Sequence, residues 1–205
     1  MSLSEVSKTE LRKHFKDNRL ARTSDEISYI DHKVYSFFVD CDEYKKCHDI
    51  LIYVSGDIEI GTKNIMEHVF NDIAIGYDKR LLCPRCEKGT NIMHFYLVSS
   101  FDDLEKGSFG ILEPKESCVR VDDLVEPICV VPALSFDSKG YRLGFGKGFY
   151  DRFLADFKGI TIGLCCESCM TEGVLPHDEY DIRVDRVVTE LGWVITPQTE
   201  YKRKG

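Results

Sequence analysis

The sequence predicts an α/β domain built in layers, and three observations predict it. Helical and strand-like periods follow one another through the first half in the order helix, helix, strand, helix, strand, strand. Ile128-Cys129-Val130-Val131 is a short, β-branched apolar run, the pattern of a strand covered on both faces. Directly after it, a glycine-rich segment leads into a helix, and sheets of this class bind their ligands beyond the carboxyl ends of their strands.

The elements follow in order from local pattern. Ser7 and Glu10 make a capping box, and Leu11, Phe15 and Leu20 give a thin apolar stripe through a first helix of about four turns. Lys8 and Arg12, four residues apart, share one face of it, where like charges repel unless something anionic lies between them. Ser24 caps a second helix marked by Ile27, Ile30, Val34, Phe37 and Phe38. Ile50 to Val54 reads as a buried strand, and Ile65, Met66, Val69, Phe70 and Ile73 as a third helix that Gly76 can end. Residues 80–83 and 91–98 read as strands with Cys83-Pro84-Arg85-Cys86 in the loop between them, and 106–116 reads as a loop. A helix from about Lys147, with Tyr150, Phe153 and Leu154 inward, precedes strands at Ile160–Cys165 and Asp185–Thr189.

At 205 residues the chain fits one domain over 1–205, with a basic, solvated tail from about 199. Its 27 lysines and arginines against 35 acids leave a net charge of −8, which excludes a sequence-independent grip on nucleic acid or an anionic membrane. The longest apolar stretch, Ile128 to Phe136, is interrupted by Pro132 and too short to span a bilayer. The opening residues carry no apolar leader core, and nine cysteines, with Cys165 and Cys166 adjacent, make a poor disulfide framework. A cytoplasmic protein with reduced thiols is expected.

The chemistry concentrates between Asp137 and Asp151. Gly144, Gly146 and Gly148 stand at every second position, so the backbone can take positive φ, approach a ligand closely and turn successive N–H groups into one concavity. A helix N-terminus follows, and Arg142 and Lys147 add full positive charges, an arrangement suited to a polyphosphate. It matches neither the Walker loop nor the dinucleotide fingerprint, which would need a glycine where Phe149 stands. Asp151 would repel bound phosphates unless a hard cation bridged the two, although helix-dipole pairing also accounts for it. From the residues alone, a phosphate cradle and a purely structural glycine loop both stay open.

The run Val131-Pro132-Ala133-Leu134-Ser135-Phe136-Asp137, followed by Gly140 to Asp151, resembles the signature of the 5-formyltetrahydrofolate cyclo-ligase (methenyltetrahydrofolate synthetase) family. Lys8-x-x-x-Arg12, Glu59 after a strand, and Leu175-Pro176 leading to Asp181 and Val184-Asp185 agree in order, so the similarity covers nearly the whole chain. The resemblance implies a three-layer α/β/α architecture with a mostly parallel mixed sheet, similar to the NagB/RpiA/CoA-transferase-like fold. It also implies a monomeric, ATP- and Mg²⁺-dependent ligase that converts 5-formyltetrahydrofolate, in free or polyglutamylated form, into 5,10-methenyltetrahydrofolate.

Carried over by position, Lys8, Thr9, Glu10, Leu11 and Arg12 would bind ATP together with Arg142, Leu143, Gly144, Phe145, Gly146, Lys147, Gly148, Phe149 and Tyr150. Arg142 and Lys147 would be catalytic, neutralising charge on the transferring phosphoryl group. Arg12, Val54, Glu59, Phe145, Gly146, Lys147, Gly148 and Phe149 would touch the folate, and Asp151 and Asp181 would hold Mg²⁺. Spacing from Pro176 and back from Asp185 selects Asp181 over Asp178 and leaves His177 as a loop residue. The chain departs from the family pattern at Ala133, where glycine is common, and at Phe149, where tyrosine is common. Three rival readings stand beside this one: a four-thiolate zinc site from Cys83, Cys86, Cys166 and Cys169, a redox role for Cys83 and Cys86, and a nucleotide-binding protein without turnover.

Overall fold

The computed structural model describes residues 6–107 and 110–195; the tail from about 199 lies outside the described residues. Helix α1 (Lys8–Leu20) begins at a complete Ser7–Glu10 capping box, and α2 (Ser24–Asp40) at a second box formed by Thr23 and Glu26. The cap of α2 is therefore Thr23 rather than Ser24, because Thr23 is the residue whose side chain has a glutamate three positions on to complete the reciprocal bonds. Each such cap contributes about 1 kcal/mol. A short helix α3 (Asp42–Lys46), which periodicity does not reveal at five residues, precedes β1 (Asp49–Leu51) and α4 (Lys63–Ala74), and Gly76 follows α4 with φ +99°.

Strand β2 (Arg80–Cys86) pairs antiparallel with β3 (Met93–Leu97), so the Cys83–Cys86 segment, expected as a loop, is strand. Pro84 is tolerated there because β1 pairs only with Arg80 to Leu82 and leaves that side of β2 without a ladder. The expected loop 106–116 likewise contains a hairpin, β4 (Leu104–Lys106) against β5 (Leu112–Pro114).

The second half carries β6 (Ile128–Val131), β7 (Ser135–Asp137), β8 (Arg142–Leu143), α5 (Phe149–Asp156), β9 (Ile160–Leu164), β10 (Met170–Thr171), β11 (Arg186–Thr189) and β12 (Gly192–Ile195). Seven strands form one sheet in the order β12-β11-β9-β6-β1-β2-β3. Its five inner strands are parallel and its two edge strands antiparallel. All four residues of β6 are buried, as expected of a strand covered on both faces, and such side chains contribute about 1.5–3 kcal/mol each. Helices α2 and α4 pack on one another and on β11 and β2 as one helical layer, and Phe153 of α5 packs on Phe95 of β3, so helices and sheet form a layered, mixed α/β architecture.

The topology places the site. The chain runs from β1 outward to β2 and β3, then returns to lay β6 on the other side of β1. The crevice beyond the carboxyl ends of β1 and β6 is thus the topological switch point of the sheet. Residues 52–62 leave β1 there, and 132–134 leave β6 there on the way to a small second sheet, β10-β7-β8.

Candidate active site

The turn that carries the glycine loop is braced by Asp137, which is fully buried. Its Oδ1 accepts from the N–H groups of Lys139 and Tyr141 at 2.9 and 3.0 Å, and its Oδ2 from that of Leu175 at 2.9 Å. Gly140 turns with φ +85°, and its carbonyl accepts from the Val184 N–H at 2.9 Å. Two of the three loop glycines take positive φ, Gly146 at +92° and Gly148 at +69°, and Gly148 is the N-cap of α5. Gly144 has no positive φ and open space around its Cβ position; its carbonyl accepts from Arg12 Nε at 2.9 Å. A Cβ on Gly146 would lie 3.2 Å from Arg12 Cζ.

Helix α1 is thereby docked on the loop. Arg12 reaches across 132 residues of sequence to Gly144, and Lys8 Nζ lies 2.6 Å from Asp181 Oδ2 and 3.5 Å from Asp178 Oδ2. The cationic face of this helix meets a carbonyl and two carboxylates instead of open solvent. Thr9 and Glu10 are exposed on its first turn, with Glu10 turned back onto Ser7.

Some residues assigned to nucleotide binding are placed otherwise. The side chains of Leu11 and Leu143 lie in the hydrophobic core, so they hold the helix and strand in place and do not face a ligand. Arg142 lies beneath the loop with its side chain 4% exposed; it donates to Asp151 Oδ1 at 2.5 Å and to the Ile182 carbonyl. Burial pulls its guanidinium below the ordinary value, and the charges of Asp151 and Asp181 oppose that. Lys147, by contrast, is exposed, and among the described residues its ammonium has no partner. Phe145 is exposed at the loop tip, while Phe149 packs half-buried against the core.

Asp151 and Asp181 approach one another through Arg142, which feels both charges. Hydrogen bonds from Arg142 and the Ile182 N–H engage Oδ1 of Asp151, and those from Lys8 and the Asp178 N–H engage Oδ2 of Asp181. Each carboxylate keeps its other oxygen free of hydrogen bonds among the described residues. Hard, partly exposed oxygen donors of this kind fit Mg²⁺. His177 stacks on Tyr141 at 3.6 Å and bonds through Nδ1 to the Leu175 carbonyl, a loop role.

On the opposite wall of the crevice Val54 is half-buried and Glu59 accepts from the Gly56 N–H at 2.7 Å. Burial raises the Glu59 carboxyl above its usual value, while that N–H and the nearby Arg19 pull it down. The Tyr150 hydroxyl is buried without a hydrogen-bond partner, and burial pushes it far above its ordinary value, as do nearby Glu59 and Tyr53. Arg19 is a residue that sequence reasoning missed: its place on the stripe of α1 was assigned to Leu20, which is 67% exposed. The spacing Leu11, Phe15, Arg19 was the available signal, and a charged residue type masked it.

The zinc reading is overturned by topology. Cys83 and Cys86 lie on β2, whereas Cys166 and Cys169 follow β9, and three strand spacings of about 4.8 Å separate those strands. Among the described residues no cluster of three metal-ligating side chains forms. The redox reading meets a different obstacle: Cys83 and Cys86 stand three apart on one strand, so their side chains leave opposite faces, and burial raises both thiols.

Comparison with known proteins agrees with this geometry. A model of the 5-formyltetrahydrofolate cyclo-ligase family matches residues 4–190. The mouse 5-formyltetrahydrofolate cyclo-ligase is 30% identical over 160 residues, covering 72% of this chain and 76% of the mouse protein. The 5,10-methenyltetrahydrofolate synthetase of Aquifex aeolicus superposes with a TM-score of 0.77 at 32% identity, covering 94% of each chain. The Mycoplasma pneumoniae synthetase shares the fold, with a TM-score of 0.70 at 20% identity over 90% of this chain and 99% of that one. A glycine loop docked by a cationic helix at the switch point, and a family pattern that runs through both of them, lead to one assignment: this chain belongs to the 5-formyltetrahydrofolate cyclo-ligase family.

Proposed function

We propose that this chain uses ATP to convert 5-formyltetrahydrofolate into 5,10-methenyltetrahydrofolate, releasing ADP and phosphate. The observation that carries the reading is the Arg12–Gly144 contact, which brings the cationic first helix onto the glycine loop at the switch point. The formyl oxygen is a poor leaving group. Transfer of the γ-phosphoryl group onto it makes an iminium phosphate, N10 of the folate attacks the formyl carbon and gives up its proton to solvent or the departing group, and the C–O bond breaks to release phosphate. Such a reaction needs positioning and charge neutralisation rather than a protein nucleophile.

The residues divide this work. Loop N–H groups from 144 to 148 and the start of α5 would cradle the triphosphate, with Lys147 free to reach the transferring group. Arg142 would act through Asp151, holding that carboxylate in place, and Lys8 would do the same for Asp181. Those two carboxylates would hold Mg²⁺, which when bound supplies neutralisation of phosphate charge. Glu59 would accept paired hydrogen bonds from the aminopyrimidine edge of the folate, with Val54, Phe145 and Phe149 as apolar contacts.

A single domain related to the NagB/RpiA/CoA-transferase-like fold is supported by five parallel strands in one sheet. A reducing, cytoplasmic setting is supported by nine cysteines, all free, a monomer follows from the family resemblance alone, and the net charge of −8 argues against nucleic-acid partners. No helix among the described residues is long and apolar enough to cross a membrane. The test of the activity is the absorbance of the methenyl product when the purified chain meets 5-formyltetrahydrofolate, ATP and Mg²⁺. Product that requires ATP is expected; ATP binding without product would overturn the proposal.

A further inference from the structure

The buried stripe of α1 runs from Leu11 and Phe15 into a cation, Arg19, which is 4% exposed. Burying a guanidinium carries a heavy desolvation penalty unless hydrogen bonds compensate it. Here main-chain carbonyls compensate the two Nη groups, while Nε is buried without a partner among the described residues. Nη1 donates to Ile58 at 2.7 Å, and Nη2 donates to Ala133 at 2.7 Å and Leu134 at 2.9 Å.

These carbonyls belong to two segments far apart in sequence. Ile58 adjoins Glu59 in the segment that leaves β1, and Ala133 and Leu134 form the turn that leaves β6 toward the glycine loop. Since β1 and β6 are the neighbours that frame the switch point, Arg19 straddles the mouth of the crevice. We propose that Arg19 is a positioning residue of this site: its guanidinium fork clamps the Glu59 segment to the turn leading into the glycine loop. The clamp sets the span between the formyl substrate and the phosphoryl donor, and in that respect it rests on the function proposed above.

Both sides have ties of their own. The glycine-loop side is held from Arg12 to Gly144, Val184 to Gly140 and Leu134 to Leu143. The Glu59 side is held by the Tyr53 hydroxyl on the Ile60 carbonyl and by the Gly61 N–H on Asp31. Arg19 is the side chain that joins the two, and it grips Ile58, the neighbour of Glu59, so its loss bears directly on the folate contact. Arg19 also opposes the upward push of burial on Glu59. The other groups facing Glu59 are the Gly56 N–H, Tyr53, Asp57 and Arg22, with Asp31 from α2 and Tyr150 from α5. Among these cations Arg19 is the one that acts on the carboxyl.

The test compares wild type with Arg19→Met and Arg19→Lys in the methenyl-formation assay, alongside thermal melts. Arg19→Met is expected to raise KM for 5-formyltetrahydrofolate roughly tenfold while KM for ATP moves less than about threefold. The acid limb of its folate kcat/KM profile should shift to higher pH, because the cation favouring the Glu59 carboxylate is gone. Arg19→Lys keeps the charge, so the acid limb should return, yet KM should recover only in part, since one ammonium cannot reproduce the fork. Folded Arg19→Met with unchanged KM values and acid limb would overturn the clamp, as would a uniform loss of both KM values without a pH shift. If Arg19→Met does not fold, Arg19→Lys decides, and kinetics equal to wild type overturn the proposal. Wild type that forms no methenyl product would sink the functional reading and the clamp with it, whereas active wild type with unaffected variants sinks the clamp alone.

Discussion

Arg142 and Asp151 form an ion pair 2.5 Å apart beneath the glycine loop, with the arginine side chain 4% and the aspartate 27% exposed. The pair ties the strand entering the loop to the first turn of the helix leaving it, so the curvature of the loop is enforced from below. It also separates two cations that look alike in sequence: Arg142 is engaged by protein groups, and Lys147 has no partner among the described residues.

Lys147→Ala is therefore expected to lose turnover without losing stability. The exposed ammonium has no partner to forfeit on folding, and deleting a charge that meets the transferring phosphoryl group should lower kcat by about 10²-fold or more. Steady-state kinetics beside a thermal melt checks this, and near-normal kcat/KM would remove Lys147 from the chemistry.

Asp151→Asn should show two effects at once. Leaving Arg142 buried without its counter-charge should cost about 1–3 kcal/mol, less than for a fully buried pair because Asp151 is partly solvated. The Mg²⁺ concentration needed for half-maximal rate should rise as well. Denaturant melts and a metal titration separate the two, and an unchanged titration would take Asp151 out of the metal site.

Glu59→Gln should trade function for stability, with a defined pH dependence. Burial raises the folded-state pKa of Glu59, so the folded state disfavours the charged form. The wild type consequently carries no penalty below the unfolded-state pKa, accumulates one as pH rises through the folded-state pKa, and keeps it above that. The neutral amide avoids it, so the variant should melt higher than wild type near pH 7, with the gap closing as pH falls into the ordinary carboxylate range. Folate KM should rise because paired acceptance is lost. A gap that does not depend on pH would contradict this account.

Tyr150→Phe removes a buried hydroxyl that has no partner among the described residues. Stability should hold or increase, since an unsatisfied polar group is costly to bury. If a bound substrate completes that hydroxyl, KM for it should rise about 3–10-fold, the worth of one neutral hydrogen bond. Melting curves and the KM values for ATP and folate, measured together, show which substrate it meets.

Features written within a few residues of one another were legible in advance. The Ser7–Glu10 box, the fully covered run 128–131, the positive φ of Gly146 and Gly148, and the family pattern from 131 to 151 all depend on neighbours in sequence. So did the pairing of Lys8 with Arg12 on one helix face. Where local pattern misled, a distant contact had intervened. The Cys83–Cys86 segment reads as a turn, yet β3 recruits it into a strand, and Leu20 reads as core, yet the carbonyls of Ile58, Ala133 and Leu134 draw Arg19 inward in its place.

By itself, the amino-acid sequence determined the layered α/β class, the glycine loop between strand and helix, and the family to which the chain belongs. Only the tertiary structure decided that Arg142 is consumed as a brace while Lys147 stays exposed, that the two cysteine pairs stay apart, and that Arg19 joins the segment leaving β1 to the turn leaving β6. The reason is physical: periodicity and capping are set by residues three or four apart, whereas the partners of Lys8 and Arg19 lie 173 and 39 positions away and are brought together by the order of strands in the sheet.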